Sequence, residues 1–531
     1  MPIYTLAEAQ LNQINRCASV CIIGAGIAGL LIAVRLARAG QRVIVVESGI
    51  EGFEARIQEL NKIDDPAGYY KRALSGRNRE FGGNSKYWGG RLIHPSQNDT
   101  IDRPYISSSG WPISFDELTS YQREIEKIFD LDDSTYEEEL LEQLDPARLF
   151  VRRDPDVTCR WAKIPTFSRI NLGAALKHEI LSHHNVEVWL GATVCNFEVD
   201  RTSARLSSIV AKNFSDHELK VSAREFIFAA GAIESTRLLL LLDASADNRP
   251  FQSCDALGRY FQEHAKATVG HLVPVDPVKT NRLFGYRFSG LARRSLYFEL
   301  TSEAQKADEI ASAYAEVALD LPPKSPLELA RRLLRDVQKG DFAVRASDVY
   351  KLATDTRYLA RSAYWRLIHR QMLIPVGTDL RFEITVEQAP NWSNRISLSP
   401  QLDQLGTPMA KLDWRLSALD EHTFWSSIKR FRAYWNRTGF NSICPITWLG
   451  TIRDRSVGFI EIADQRAHPS GSTRMGTDPT KSVVGPNLCC HHIPNLRLVS
   501  TSVFPAAGSI NPTLALMQLA LRAADSLLLG T

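Results

Sequence analysis

The chain has 531 residues, and its 63 Lys and Arg against 60 Asp and Glu leave a formal charge of only +3. So small a charge argues against nucleic-acid binding as the main function. Hydrophobic residues make up 44% and charged residues 23% of the chain, as in globular proteins, and the length exceeds what one hydrophobic core usually supports, so we expect two domains, intertwined or consecutive.

The start of the chain and the cysteines predict a cytoplasmic protein. Residues 1–16 have no basic stretch ahead of an apolar run, so they do not resemble a secretory signal. None of the eight cysteines forms a Cys-x-x-Cys pair, which argues against a disulfide scaffold and fits a reducing compartment. The most apolar window, 20–34, is interrupted by glycines and is shorter than a membrane span, so we expect no transmembrane helix.

The first predicted elements form a βαβ unit. Residues 19–23 are apolar and rich in β-branched side chains, as in a buried strand, and the motif Gly-x-Gly-x-x-Gly follows at 24–29. A helical pattern over 30–39 comes next, and a second buried strand at 42–46 ends on Glu47. This order is typical of parallel strands joined by a crossover helix.

This unit is suited to a dinucleotide. Backbone N–H groups of the glycine loop and the helix start face a pyrophosphate, and a carboxylate at the next strand end accepts hydrogen bonds from ribose hydroxyls. The cofactor-binding candidates here are Gly24, Gly26, Ile27, Ala28, Gly29 and Glu47. Because NAD and FAD both use this fingerprint, it leaves the cofactor open.

Further along, a Pro-, Ser- and Gly-rich loop at 101–113 precedes a predicted helix over 115–129, which we expect to cap the site. Strands are predicted at 186–199 and 225–230, and a Leu-rich helix follows the second. The α/β domain is therefore expected to be built from separated segments.

The second half begins with a different pattern. Residues 270–319 and 379–414 alternate between apolar and polar residues with turn signals, as antiparallel strands do. Between them, 325–370 is predicted to be helical and carries 10 Lys and Arg against 5 Asp and Glu. A solvated helical insert is the favoured interpretation, and a membrane-surface or partner-docking face is the alternative. A strand at 495–502 and a helix at 512–528 end the chain.

Several segments decide between the two cofactors. They read GGNSKYWGG at 82–90, AAGAIES at 229–235, HPSGSTRMG at 468–476 and SINPT at 509–513. With the glycine fingerprint they resemble the glucose–methanol–choline (GMC) family of FAD-dependent oxidoreductases, bacterial sugar- and alcohol-oxidising branch. Weaker matches lie at 110–112, 257–264 and 394–396, and only about 275–375 does not resemble the family.

The resemblance implies an α/β fold with two domains. A Rossmann-like FAD-binding domain would consist of the discontinuous segments 1–100, 156–268 and 455–531. Residues 101–155 would form a helical cap, and 269–454 a substrate domain with an antiparallel sheet, helices and the insert at about 325–371.

The resemblance also implies a catalytic pair. His468 matches the family histidine that takes the proton of the alcohol while hydride passes to flavin N5, and Asn511 occupies the partner position. In many members the second residue is also His, so Asn511 indicates the His/Asn subset. The chemistry itself asks for such a base, because an alcohol is a poor hydride donor until its proton is removed.

The remaining cofactor candidates come from the same resemblance. They are Gly82, Gly83, Asn84, Ser85, Val194, Ala230, Gly231, Ser235, Ser502, Asn511, Pro512 and Thr513. Tyr87 stands where some members carry a histidine linked to the flavin, so noncovalent FAD is expected.

The run Cys489-Cys490-His491-His492 could be mistaken for a metal site. Neighbouring residues on an extended strand point to opposite faces, so four consecutive residues cannot close one tetrahedral site. We therefore predict no metal.

The most favoured activity is oxidation of an alcohol to a carbonyl compound, with a sugar, polyol or amino-sugar hydroxyl as substrate. A hydrophobic alcohol is the alternative within the class, an NAD(P)-dependent Rossmann dehydrogenase is the rival enzyme, and a non-catalytic binding protein is the third hypothesis. The electron acceptor is left open among O2, a quinone and a redox partner, and no nucleic-acid partner is expected.

Overall fold

The structure, a computed structural model, describes residues 2–9, 12–200, 202–246, 248–339 and 355–530, with only the backbone for 334–339. The strands are β1 (Ile3–Thr5), β2 (Gln13–Ile23), β3 (Val43–Val46), β4 (Ile63–Asp64), β5 (Val157–Ile164), β6 (Val186–Leu190), β7 (Thr193–Asp200), β8 (Arg205–Lys212), β9 (Glu218–Phe228), β10 (Ala265–Leu272), β11 (Arg287–Ser289), β12 (Ala292–Leu300), β13 (Ala313–Asp320), β14 (Asp379–Val386), β15 (Arg395–Leu402), β16 (Pro408–Asp413), β17 (Ile446–Trp448), β18 (Asp464–Gln465) and β19 (Leu496–Leu498). The helices are α1 (Ile27–Arg38), α2 (Ala55–Gln58), α3 (Gln97–Thr100), α4 (Phe115–Thr119), α5 (Gln122–Ile128), α6 (Leu141–Leu144), α7 (Phe167–Ile170), α8 (Leu172–Ser182), α9 (Ala232–Ser245), α10 (Pro277–Phe284), α11 (Ser302–Ala307), α12 (Pro326–Lys339), α13 (Thr356–Ile368), α14 (Ala418–Arg437), α15 (Gly450–Arg453), α16 (Phe459–Ile462) and α17 (Thr513–Leu529).

The first sheet has the order β1-β6-β3-β2-β9-β8-β7, and β19 also pairs with β9. Strands β1, β6, β3, β2 and β9 pair in parallel in that order, and β19 pairs in parallel with β9. Strands β8 and β7 follow β9 as an antiparallel edge. Helix α1 packs against α17 and α8. The apolar side chains of these strands and helices form one large core, as expected for parallel strands covered by helices.

The second sheet has the order β11-β12-β13-β14-β10-β17, with β5 on β12 and β18 on β10, and all its pairs are antiparallel. Its two faces differ because side chains alternate along each strand. Phe298, Ala315 and Ile384 lie on one face in the apolar core against α14. Tyr297 and Glu316 lie on the opposite face, which is polar. The predicted α/β fold with an antiparallel second sheet is confirmed.

The third sheet is a difference from the sequence prediction. The antiparallel pair β15 and β16 adds in parallel to β4 and does not join the second sheet. Likewise β5 opens the segment 156–268, which was assigned to the cofactor domain, yet it pairs along its whole length with β12. Strand patterns do not encode the pairing partner, so these assignments depended on the tertiary fold. The domain boundaries themselves stay a prediction.

Smaller differences concern breaks inside predicted elements. The strand predicted over 186–199 divides into β6 and β7 at Gly191, whose φ of 65° is left-handed. The helix predicted over 115–129 divides into α4 and α5, both of which contact α17. In the basic insert the two flanks are helical as α12 and α13, and 340–354 lie outside the described residues. No described helix is both long and apolar enough to span a membrane.

Candidate active site

A cavity of about 470 Å³ lies where the central parallel strands of the first sheet end. Gly24 after β2, Glu47 after β3, Ala229 after β9 and Val499 after β19 all line it. Ligands of open α/β sheets bind at this edge, beyond the carboxyl ends of the strands. The volume falls in the range of about 300–1,000 Å³ usual for ligand and cofactor sites.

The glycine loop approaches this cavity with bare backbone. Gly24 has a φ of +106°, which favours glycine, and a Cβ placed on Gly29 would lie 1.9 Å from the Gly24 carbonyl oxygen. A Cβ on Gly26 would meet nothing within 4 Å. Helix α1 begins at Ile27, so its first N–H groups face a space that a phosphate group fits.

Glu47 ties the loop to the end of β3. Its two carboxylate oxygens accept hydrogen bonds from the backbone N–H groups of Ala25 and Gly49, both at 2.7 Å. Burial raises the pKa of Glu47, and those two N–H groups oppose that rise. The carboxylate lines the cavity and keeps spare lone pairs for hydroxyl donors.

Most of the residues predicted from the sequence meet in this one cavity. Those that line it are Gly24, Gly26, Ile27, Ala28, Glu47, Gly83, Asn84, Val194, Ala230, Gly231, His468, Asn511, Pro512 and Thr513. Those that do not line it are Gly29, Gly82, Ser85, Ser235 and Ser502. Two serines of the last group hold backbone near the cavity: Ser235 Oγ accepts from the Ala230 N–H at 3.1 Å, and Ser85 Oγ donates to the Gly82 carbonyl at 2.6 Å.

His468 and Asn511 come from two loops and meet in the cavity. Asn511 Nδ2 lies 3.4 Å from His468 Nε2, and the His468 backbone N–H donates to Glu263 at 2.7 Å. Burial is the main cause that holds the pKa of His468 well below its usual value, and the nearby groups His264, Arg466 and Arg91 lower it further. The imidazole is therefore neutral and able to accept a proton.

Two residues in or next to the second sheet contact this pair, and neither was assigned a role from the sequence. His264, just before β10, places Nδ1 3.0 Å from His468 Nδ1, and Tyr297 of β12 donates from its hydroxyl to Asn511 Oδ1 at 2.8 Å. His264 stood in a weakly matching segment, which was a usable signal. Tyr297 belongs to an ordinary alternating strand, so no local signal marked it.

Two arginines add positive charge to the same wall. Arg91 and Arg466 line the cavity, and each donates to one carboxylate oxygen of Glu316 at 2.6 Å. Burial alone would raise the pKa of Glu316, but the two arginines lower it to about 2. The carboxylate is thus ionised and engaged on both oxygens.

The donors around the cavity fit a phosphate-bearing dinucleotide. Arg77 lines the cavity, and among the described residues its buried Nη1 has no hydrogen-bond partner. Such an unpaired donor is costly unless a ligand accepts from it. Tyr87 also lines the cavity, and its hydroxyl donates to Glu80 at 2.7 Å. Within the described part of the chain, no group of three His, Cys, Asp or Glu side chains is arranged to hold a metal ion.

The chain is similar to known flavin enzymes. A family model described as GMC oxidoreductase matches residues 390–520, and one described as FAD dependent oxidoreductase matches 19–252. The chain is 24% identical to 6'''-hydroxyparomomycin C oxidase of Streptomyces lividus and 22% identical to paromamine 6'-oxidase of Streptomyces fradiae, in each case over 96% of this chain and 91% of that protein.

Two further relatives extend the comparison. The chain is 22% identical to 2-methyl-1,2-propanediol dehydrogenase of Mycolicibacterium austroafricanum, over 95% of this chain and 94% of that protein. The solved structure of pyridoxine 4-oxidase from Mesorbium loti aligns with a TM-score of 0.60 at 16% identity, over 96% of this chain and 99% of that one. The likeness to that structure shows a shared fold.

Proposed function

Since this chain is an FAD-dependent oxidoreductase of the GMC family, we propose that it oxidises a hydroxyl group of a sugar, polyol or amino sugar to a carbonyl. The observation that carries the proposal is the pairing of His468 with Asn511 in the cavity that the glycine loop and Glu47 also line. The proposed base and the glycine loop thus line the same cavity.

In this proposal each residue of the pair has its own part. His468 Nε2 removes the hydroxyl proton of the substrate, and the amide of Asn511 donates to the substrate oxygen and holds it. Bound FAD would accept the hydride that leaves the substrate carbon. Because burial and nearby positive charge keep His468 neutral, the base is ready before the substrate arrives.

The polar surroundings of the pair support a hydroxyl-rich substrate over a hydrophobic alcohol. The guanidinium groups of Arg91 and Arg466 line the cavity beside His468, and the sheet face behind them carries Glu316. If an alkyl chain filled the cavity, these charged groups would lose water and gain no hydrogen-bond partner in exchange, and that desolvation costs free energy. Two relatives are named as oxidases of 6'''-hydroxyparomomycin C and of paromamine, which agrees with this choice.

A substrate screen tests the proposal. Purified holoenzyme is mixed anaerobically with sugars, polyols, amino sugars and alkyl alcohols of matched carbon number, and bleaching of the flavin absorbance is followed. We expect bleaching by at least one polyhydroxy compound and none by its alkyl counterpart. Bleaching by alkyl alcohols alone would favour the hydrophobic alternative, and a protein that binds nicotinamide and no flavin would refute the proposal. Turnover with O2, a quinone or a dye then identifies the acceptor class.

The first prediction is that FAD is held without a covalent bond. Tyr87 stands at the position of the linking histidine of some family members, and its hydroxyl is engaged with Glu80. We expect acid precipitation to leave all flavin in the supernatant. Flavin that remains with the precipitated polypeptide would contradict noncovalent binding.

The second prediction concerns Glu47. In Glu47→Ala the ribose hydroxyls lose a charged acceptor, a loss of roughly 1.5–3 kcal/mol, and the glycine loop loses the acceptor of the Ala25 N–H. We expect the dissociation constant of FAD, measured by titrating apoprotein, to rise by at least tenfold. Glu51→Ala is the control, because Glu51 pairs with Lys177 at the surface and should leave FAD binding unchanged. Parent affinity in Glu47→Ala would remove Glu47 from the cofactor site.

A further inference from the structure

A chain of hydrogen bonds runs from the second sheet through the proposed catalytic pair. Arg91 Nη1 lies 3.4 Å from the Tyr297 hydroxyl, and that hydroxyl lies 2.8 Å from Asn511 Oδ1. Asn511 Nδ2 then faces His468 Nε2 at 3.4 Å, and His468 Nδ1 faces His264 Nδ1 at 3.0 Å.

The direction of this chain follows from its first member. A guanidinium group has donors only, so Arg91 donates to the Tyr297 oxygen. The single hydroxyl proton of Tyr297 is then directed at Asn511 Oδ1, which can only accept. This contact turns the Nδ2 donor of Asn511 toward His468 Nε2.

The same logic assigns the proton on the imidazole. Because an amide donor faces Nε2 of His468, that nitrogen carries a lone pair, and the ring proton of the neutral imidazole is on Nδ1. In this assignment the Nδ1–H group of His468 is the donor and His264 Nδ1, 3.0 Å away, is the acceptor. The opposite tautomer would set an N–H of His468 against an N–H of Asn511.

We propose that Tyr297 and His264 are positioning residues that hold His468 in the tautomer with an unprotonated Nε2, the nitrogen that removes the substrate proton. The inference rests on the proposed roles of His468 and Asn511. It adds that residues in and next to the second sheet, one on each side of the pair, keep Nε2 of His468 free to take the substrate proton.

Burial makes these two contacts hard to replace. The side chains of Tyr297 and His264 are both fully buried, so water has no ready access to take over a lost hydrogen bond. Without Tyr297 the amide of Asn511 is free to turn its oxygen toward His468, which stabilises a proton on Nε2. Without His264 the Nδ1–H of His468 loses its acceptor, with the same consequence. A proton on Nε2 blocks the base.

The test combines kinetics with a spectroscopic readout. Holoenzyme labelled with ¹⁵N-histidine distinguishes protonated from unprotonated ring nitrogens, and His468→Gln identifies the His468 signals by their loss. In the parent we expect Nε2 of His468 to be unprotonated. In Tyr297→Phe and His264→Ala we expect a signal of protonated Nε2 to grow, together with about tenfold slower anaerobic flavin reduction at saturating substrate, the effect of one hydrogen bond.

Two variants separate positioning from mere packing. His264→Asn puts an amide oxygen near the place of Nδ1, so it should restore most of the rate and the parent signal. Tyr314→Phe is the matched control, because the Tyr314 ring stacks on that of Tyr297 with centroids 4.4 Å apart. It also removes a phenolic oxygen, but not the one that bonds Asn511. The rate and the NMR signal should therefore stay those of the parent.

The outcomes are distinct. A protonated Nε2 in the parent would overturn the inference, and so would parent rates and signals in both Tyr297→Phe and His264→Ala, or equal losses in Tyr297→Phe and Tyr314→Phe. The parent tautomer is measurable whether or not any variant folds. If the parent reduced its flavin with no alcohol at all, the proposed function would fail, while the NMR readout would still report on the tautomer.

Discussion

His468→Ala should keep FAD bound but reduce it at least about 10²-fold more slowly, the lower range for loss of a general base. The side chain contacts His264 and Asn511 in the cavity and none of the glycine-loop contacts depend on it, so cofactor retention should survive. Anaerobic single-turnover reduction by the substrate found in the screen isolates this step from re-oxidation.

Asn511 provides the contrast. Asn511→Ala leaves the base in place and removes one hydrogen bond to the substrate oxygen, so the loss should be smaller, on the order of 1–2 kcal/mol. Asn511→His should retain measurable activity, because family members carry His there. If His468→Ala reduced its flavin at the parent rate, the base would have to be sought elsewhere.

The pH dependence follows from the same burial. Burial and the neighbouring charges lower the pKa of His468 below its usual value of 6.5, so its neutral form persists as the pH falls through 6.5. The parent rate of flavin reduction should therefore stay level from pH 8 to pH 6.5 and decline only at lower pH. A decline centred above pH 6.5 would contradict the assigned state of His468.

Arg103→Met should destabilise the protein by about 3–5 kcal/mol, the cost of leaving a buried charge without its partner. Arg103 donates two hydrogen bonds of 2.6 Å to Glu387, and both side chains are fully buried. The Glu387 carboxylate also accepts from the backbone N–H groups of Ser312 and Gly508 at 3.1 and 3.0 Å. The loop that leads to Asn511 is thus anchored to the second sheet, and denaturant unfolding of the holoenzyme measures its loss.

The destabilisation should depend on pH. Burial opposes ionisation of Glu387, but Arg103, together with the backbone N–H groups of Ser312 and Gly508, lowers the pKa of that carboxyl. Once the arginine is removed, burial dominates and the carboxyl protonates more readily, which relieves the unpaired charge. The penalty should therefore be larger at pH 8 than at pH 5.

Arg453→Met is the matched control for this experiment, because Arg453 pairs with Asp454 at an exposed position. It should leave the unfolding midpoint unchanged. An equal shift in the two variants, or a penalty that grows as the pH falls, would show that the Arg103–Glu387 pair is not the cause.

Local patterns predicted the βαβ unit with which the first sheet begins. This unit is a short stretch of chain that contains β2, the glycine loop, helix α1 and Glu47. Its signals are local: strand periodicity, and glycines where the backbone needs the φ of Gly24 and the close approach at Gly29. His468 and Asn511 were identified by resemblance to family motifs and share one cavity. Their roles remain predictions.

Pairing between distant strands was not readable in this way. Alternation predicted strands over 379–414, where β15 and β16 lie, but it did not say that they would add to β4. Strand β5, which pairs with β12, was not predicted as a strand. Strand patterns report which face is buried, and many partners satisfy the same pattern.

By itself, therefore, the sequence determined the dinucleotide fold of the first sheet, the flavin-enzyme family and the identity of the proposed pair, because those signals lie within contiguous segments. Only the tertiary structure decided what surrounds the pair. Tyr297 is 214 positions from Asn511, and His264 is 204 positions from His468. A hydrogen bond needs its atoms placed within a few tenths of an ångström, and at such separations strand pairing and register set that placement.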